Sequence, residues 1–257
     1  MWWPTEPDEL VALQDEIAAA ARAELAERPF SIDDDGPPLL GGCFIAFAKG
    51  EAGPGHPGDR AWAAAVAWRP TGQSRHPDDM LRGHRAADEQ RRAADVSGQG
   101  VVAGLVPASY APGLLALREG PLLAAAVGTL RPRPDVTLVD ATGLDHPRRA
   151  GLAVHVGAAT GGPTVGVTRR PLVARGERPP LRRGERAPLR IGGETVGYWV
   201  CTNDGINPVI AHAGWRTDPT TAADIVLLAS TDRARTPVPL QEARRVAREA
   251  RYGRMKT

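Results

Sequence analysis

Residues 138–157 read LVDATGLDHPRRAGLAVHVG, and the fold follows from what lies on either side of them. Extended backwards, the apolar run is a strand, VTLVD, that ends on a carboxylate, Asp140. A helix-like segment, HPRRAGLAVHVGAAT (146–160), comes next, and then a second strand, PTVGVT (163–168). A strand, a helix and a strand in succession mark a layered α/β arrangement. Mixed α/β sheets present their sites where strands end, which makes Asp140 a candidate. Asp145, His146 and His155 follow closely enough to raise the question of a metal site.

Upstream, SYAPGLLALREGPLLAAAVGTL (109–130) places Pro112 and Gly113 at the mouth of a helix whose apolar face runs through Leu114, Leu115, Leu122 and Leu123, with one acid, Glu119, in its middle. Glu119 and Asp140 brought together would suit magnesium, a hard ion that takes oxygen ligands. The plain alternative makes Asp140 a helix cap and Glu119 a surface acid.

Further out, PDELVALQDEIAAAARAELAE (7–27) carries Leu10, Leu13, Ile17, Ala20 and Leu25 as the apolar side of a packing helix. LLGGCFIAFA and RAWAAAVAWRP, separated by the turn region GEAGPGHPGD, form a hairpin, and QGVVAGLVP adds a third strand. Between them residues 70–99 are polar and charge-dense, an insertion into the domain. GETVGYWVCTNDG and NPVIAHAGW pair as a last hairpin, and TTAADIVLLAS and LQEARRVAREAR close the chain as helices. The expectation is one α/β domain over residues 1–257, its mixed sheet built from antiparallel hairpin strands and then parallel strands, with helices on its faces.

The composition is that of a globular protein, and no run of about 18 apolar residues suggests a membrane span. The N-terminus has no basic leader, and Cys43 and Cys201 sit in apolar runs as reduced core thiols, so a cytoplasmic setting is expected. Only Lys49 and Lys256 are lysines, so the arginine content partly reflects codon usage. The net charge of +2 still hides a concentration: between Arg169 and Arg190 eight arginines stand against two glutamates. This basic loop, 169–190, reads either as a surface that follows phosphates or as a solvated excursion.

YAPGLLALREGPLL, VTLVDATGLDHPRRAGLAVHVG and PTVGVTRRPL, in this order and spacing, resemble the endonuclease V family of deoxyinosine-directed nucleases. SYAPGLLALREGP is similar to the family's PYIPGLLAFREGP. The resemblance implies a ribonuclease H-like fold and magnesium-dependent cleavage, with manganese as a substitute, on the 3′ side of a deaminated purine in DNA or RNA. By the same resemblance Glu119 and Asp140 hold the metal, His146 assists, and Tyr110, Pro112 and Gly113 form the wedge that replaces the extruded base. Gly143 lies near the base pocket and Arg169 on a phosphate. Metal ions activate the attacking water and neutralise the leaving oxygen in such chemistry, and a base inside a duplex must leave the stack to be read.

The sequence departs from the family where the metal should sit. The family's VAGVDVSY aligns on LGGCFIAF and puts Phe44 opposite a metal-binding aspartate; SPGHR aligns on HAGWR and puts Trp215 opposite a histidine. Arg169 replaces a lysine, ATG (141–143) replaces GQG, and PVPLQ (237–241) replaces PEPTR. A relocated ligand would have to come from His212, Glu51, Asp59 or Asp33 to Asp35. Two readings stay open: a divergent magnesium nuclease acting at inosine, or a catalytically inactive homologue that binds nucleic acid or a repair partner. Tyr110 reads either as a wedge or as a buried tyrosine with a bonded hydroxyl, and His155 and His212 read as structural.

Overall fold

The computed structural model describes residues 3–32, 37–48, 55–70, 96–231 and 234–253. Its centre is an eight-stranded sheet. The strands are β1 (Leu40–Phe47), β2 (Arg60–Trp68), β3 (Val96–Leu105), β4 (Val136–Val139), β5 (Thr164–Thr168), β6 (Arg186–Ile191), β7 (Glu194–Val200) and β8 (Val209–Ala213). They lie in the order β3-β2-β1-β4-β5-β8-β7-β6. The first hairpin is antiparallel, β4 and β5 add in parallel to β1, and the last three strands form an antiparallel meander.

Helices α1 (Pro7–Glu27), α2 (Leu115–Thr129) and α3 (Leu152–Thr160) cover one face of the sheet; α4 (Pro219–Leu228) and α5 (Val238–Arg251) cover the other. Strand β2 shows why. Its Ala61, Ala63, Ala65 and Ala67 pack toward α2 while Ala64 and Val66 pack toward α5. A strand buried on both faces has no polar side, so its sequence is a continuous apolar run. Helix α1 buries Leu10, Gln14, Ile17, Ala18 and Ala21. Ala20, expected on that face, is exposed, because the 3.6-residue turn carries Ala18 and Ala21 inward instead.

Three expected boundaries move. The helix read from His146 begins only at Leu152, since residues 146–151 turn and Gly151 takes the position before the first helical residue. The helix read from Pro112 begins at Leu115. The basic loop ends at 185: residues 186–191 form the edge strand β6, and Arg175 bridges to Arg190. Of the polar insertion, residues 96–99 belong to β3 and residues 71–95 lie outside the described residues. Cys43 and Cys201 are free and buried. No helix among the described residues is long and apolar enough to cross a membrane.

Candidate nucleic-acid site

The residues before α2 make a tight turn. Leu114 N–H donates to the Ala111 carbonyl at 3.0 Å, Pro112 occupies the second position and Gly113 the third with φ of 77°. That is the type II pattern, whose third position favours glycine because φ is positive. The Gly113 carbonyl is held from two directions, by Gln14 Nε2 at 2.9 Å and by His146 Nε2 at 3.0 Å. Since the Arg148 N–H donates to His146 Nδ1 at 3.2 Å, the proton must reside on Nε2. Burial lowers the His146 pKa, and the imidazole is neutral. Both its nitrogens are engaged, which leaves no lone pair for a metal.

Around this turn lies a cavity of about 200 Å³, walled by Gln14, Tyr110, Gly113, Asp140, Thr142 and His146 among others. Tyr110 stands at it 49% exposed, so the reading of a buried tyrosine is set aside. Pro112 is exposed beside it. Gly143 lies beneath rather than in the wall: a Cβ there would sit 1.9 Å from the Ala213 carbonyl oxygen, and the next residue, Leu144, donates its N–H to that same carbonyl at 2.8 Å. The glycine permits the contact between the loop after β4 and strand β8.

Asp145 belongs to the supporting structure. Its carboxylate accepts the N–H groups of Leu172 at 2.8 Å, Val173 at 2.9 Å and Ala174 at 2.7 Å, which fixes the loop after β5. His212 Nδ1 lies 3.7 Å from Asp145, and its Nε2 bonds the Thr168 hydroxyl at 2.7 Å. Burial lowers the His212 pKa to about 4. His155, also lowered to about 4 by burial, stacks on Trp3 with centroids 6.1 Å apart. Neither histidine lines the cavity. The metal half-site suggested by Asp145, His146 and His155 is therefore not assembled: one braces a loop, one pins a turn and one packs in the core.

Strands β1 and β4 are in register with Cys43 beside Val139, so one residue further on Phe44 stands beside Asp140. The Asp140 carboxylate receives Arg244, reaching over from α5, at 2.9 Å. The same guanidinium lies 4.8 Å from the centre of the Phe44 ring. A cation held against an aromatic face and a carboxylate together is well placed, although a pair roughly a third exposed contributes at most about 1 kcal/mol of stability. On the α2 side of the sheet Cys43 is buried between the two acids, its pKa pushed up by burial and then by the charges of Asp140 and Glu119. Glu119 is raised to about 7, mainly by burial.

Among the described residues the groups around Asp140 offer a magnesium ion few free oxygen ligands. The ion needs about six oxygen ligands near 2.0–2.1 Å. Asp140 already faces a positive charge, Phe44 offers no donor, and both nitrogens of His146 are engaged. Among the described residues no group of three or more His, Cys, Asp or Glu side chains could hold a metal ion. Nor is a relocated ligand found among the described residues: Asp59 is bonded to Arg118 at 2.7 Å, in a buried pair that ties α2 to the loop before β2, and His212 is committed to Thr168. Glu51 and Asp33 to Asp35 lie outside the described residues.

Trp215 is not near Asp140. It packs with Ile17, Ala18 and Ala21 of α1, with Ala150 before α3 and with Val154 in α3, so the ring is part of the core. Arg169 is exposed beyond β5. Two residues that the sequence reading passed over complete the site. Gln14 is a polar residue on the buried side of α1, a signal that was visible. Arg244 is separated from Asp140 by 104 positions, and nothing local announces that contact.

A mixed sheet with two helical layers and a cavity at the end of its central parallel strand defines a ribonuclease H-like α/β protein. Residues 90–245 match the family model described as Endonuclease V. The chain belongs to the Endonuclease V family. It is 45% identical over 150 residues to an Endonuclease V of Nocardia farcinica, covering 58% of this chain and 66% of that protein. The matched stretch is 61% of the length of the Dictyoglomus thermophilum Endonuclease V, at 36% identity. The crystal structure of Endonuclease V from Streptomyces avermitilis superposes with a TM-score of 0.74 at 31% identity, covering 98% of this chain and 95% of the other. Endonuclease V of Ciona intestinalis, in complex with a 24mer DNA containing an inosine followed by a ribo-adenosine, shares the fold with a TM-score of 0.71 at 18% identity over 96% of this chain and 97% of the other.

Proposed function

We propose that this protein is a nucleic-acid-binding member of the Endonuclease V family that takes up a deaminated purine without metal-dependent cleavage. The observation that carries this reading is Arg244, whose guanidinium sits on Asp140 at 2.9 Å and over Phe44 at 4.8 Å. Phosphodiester cleavage of the family's kind relies on carboxylates that gather divalent ions. Here the acid that would do so carries an internal cation.

The base-accepting half supports the binding part. A cavity of about 200 Å³ is smaller than the usual ligand pocket of some 300–1,000 Å³ and suits one base rather than a whole nucleotide. Tyr110 and Pro112 project beside it, where an aromatic ring and a proline can fill the gap that an extruded base leaves in the stack. The relative from Ciona intestinalis has been seen with inosine-containing DNA, and the same ligand class is proposed here. DNA and RNA both remain candidates. Arg169, exposed after β5, is assigned to a phosphate.

The second reading, a divergent nuclease dependent on magnesium or manganese, draws on the presence of both Glu119 and Asp140, close enough for the charge of one to raise the pKa of the other. It requires Arg244 to leave Asp140. The test is to incubate the protein with an inosine-containing oligonucleotide and magnesium or manganese, and to measure binding in parallel by fluorescence anisotropy. The expected result is intact oligonucleotide with equal affinity in metal and in chelator. Nicking that depends on metal would establish the second reading instead.

A further inference from the structure

Outside the base cavity a groove of about 570 Å³ runs along α5. Its walls include Arg235, Arg244, Arg245, Arg248, Glu249 and Tyr252. Among the described residues Glu249 is the one acid in the lining, and it is already bonded to Arg245 at 2.8 Å. Arg245 also holds Glu242 at 2.9 Å, so that trio is internally balanced. Arg244 answers Asp140. Arg235 and Arg248 then remain as positive charges with no acidic partner among the described residues.

Three further observations give the groove an orientation. The Nε–H groups of Arg235 and Arg244 are buried and meet no acceptor among the described residues. A buried donor without an acceptor costs free energy. Arg235, just before α5, is held by the Pro208 carbonyl at 2.6 Å, and its pKa is lowered by burial and then by the charges of Arg169 and Arg178, so the basic loop places like charges close to this end of the groove. Finally, Arg244 lines the groove and Asp140 lines the base cavity, so the two concavities meet at their ion pair.

We propose that the α5 groove binds the phosphodiester backbone of the nucleic-acid strand whose base occupies the cavity, with Arg235 and Arg248 as the phosphate contacts. This rests on the reading that the chain binds nucleic acid, and deepens it. Arginine suits the task, since its planar guanidinium offers paired donors to phosphate oxygens and stays charged at every working pH. In this arrangement fixed arginines supply the positive charge that holds the strand, and no divalent ion is needed.

The test is anisotropy with a labelled single-stranded oligonucleotide containing one inosine, and a guanine control, in chelator between about 50 and 200 mM salt. Arg248→Ala is expected to weaken both ligands several-fold at low salt. It should flatten the slope of log affinity on log salt by about 0.7, the value for one lost contact to a single strand, and Arg235→Ala with Arg248→Ala by about twice that. The preference for inosine over guanine, set in the cavity, should not move. Thermal melting checks that the variants are folded. Inosine-selective binding with an unaltered slope in the double variant would overturn the groove and leave the proposed function standing. No binding by the unaltered protein at low salt would overturn both. Inorganic triphosphate that binds more tightly than the oligonucleotide, with the same dependence on Arg248, would mark the groove as a site for a small polyphosphate and overturn the backbone assignment.

Discussion

The site has two halves that are built in opposite ways. The half formed by the turn at 111–114, the loop after β4 and the start of α3 is held by neutral groups: a glycine carbonyl, a glutamine, a histidine with both nitrogens engaged, and main chain against main chain. The half formed by β1 and α5 is held by charge, with Arg244 between Asp140 and the Phe44 ring. The motifs that resemble the family fall on the first half, and the largest departure, Phe44, falls on the second. The family match itself begins at residue 90, beyond β1 and β2. On the proposed reading, holding a base and gathering a metal are separable tasks on this fold. The first needs a shaped cavity; the second needs several acids to tolerate one another, and a single guanidinium ends that need.

The sharpest way to break the first half is Gly143→Ala. The added methyl would lie 1.9 Å from the Ala213 carbonyl oxygen, a main-chain atom that cannot swing aside. Forcing strand β8 and the loop apart is expected to cost about 2–4 kcal/mol, in the range of severe core strain. Melting would fall by several degrees, and inosine binding would weaken with it. A variant as stable as the parent would show that the loop does not depend on this close approach. The second half is tested by construction. Phe44→Asp with Arg244→Ser supplies a carboxylate beside Asp140 and removes the guanidinium; manganese affinity measured by calorimetry should rise at least about tenfold, or roughly 1.4 kcal/mol. Trp215→His is not part of this test, because the ring lies among apolar groups of α1 and α3. No gain would mean that Phe44 and Arg244 are not what excludes the ion.

How much of this could be read from the sequence depends on whether the cause was local. The hairpin, the parallel strands after it and the helices on both faces were legible, since burial writes continuous apolar runs into β2 and β4. Strand β6 was not. Its sequence, RAPLRI, carries two arginines and Pro188, and at the edge of a sheet both charge and proline are tolerated, so the strand resembles a loop. Two arginines of that segment also have partners within the chain: Arg183 donates to the Ser230 carbonyl at 2.9 Å, and Arg186 pairs with Asp224 at 2.9 Å. In the site, Glu119, Asp140, His146 and Tyr110 were nameable because motif and strand end coincide. Whether His146 has a free lone pair depends on the Arg148 amide and the Gly113 carbonyl, a matter of geometry. Arg244 was invisible because only the packing of α5 against β1 brings it to Asp140.

The contrast between neutral and charged halves also predicts a response to acid. His155 and His212 have folded pKa values near 4, depressed by burial below the 6.5 of a free imidazole. The unfolded chain therefore binds more protons than the folded one between about pH 6.5 and 4, and stability falls as pH drops through that window. Above it both states are neutral at these histidines, and the contribution is complete. Replacing His155 by Phe keeps a ring against Trp3 and removes one titration. The variant should melt within a degree or two of the parent at pH 7.5. At pH 5 it should be more stable by about 1–2 kcal/mol, some 2–8 °C for a protein of this size. If the melting curves of parent and variant stay parallel from pH 7.5 to 5, the acid sensitivity does not originate in His155.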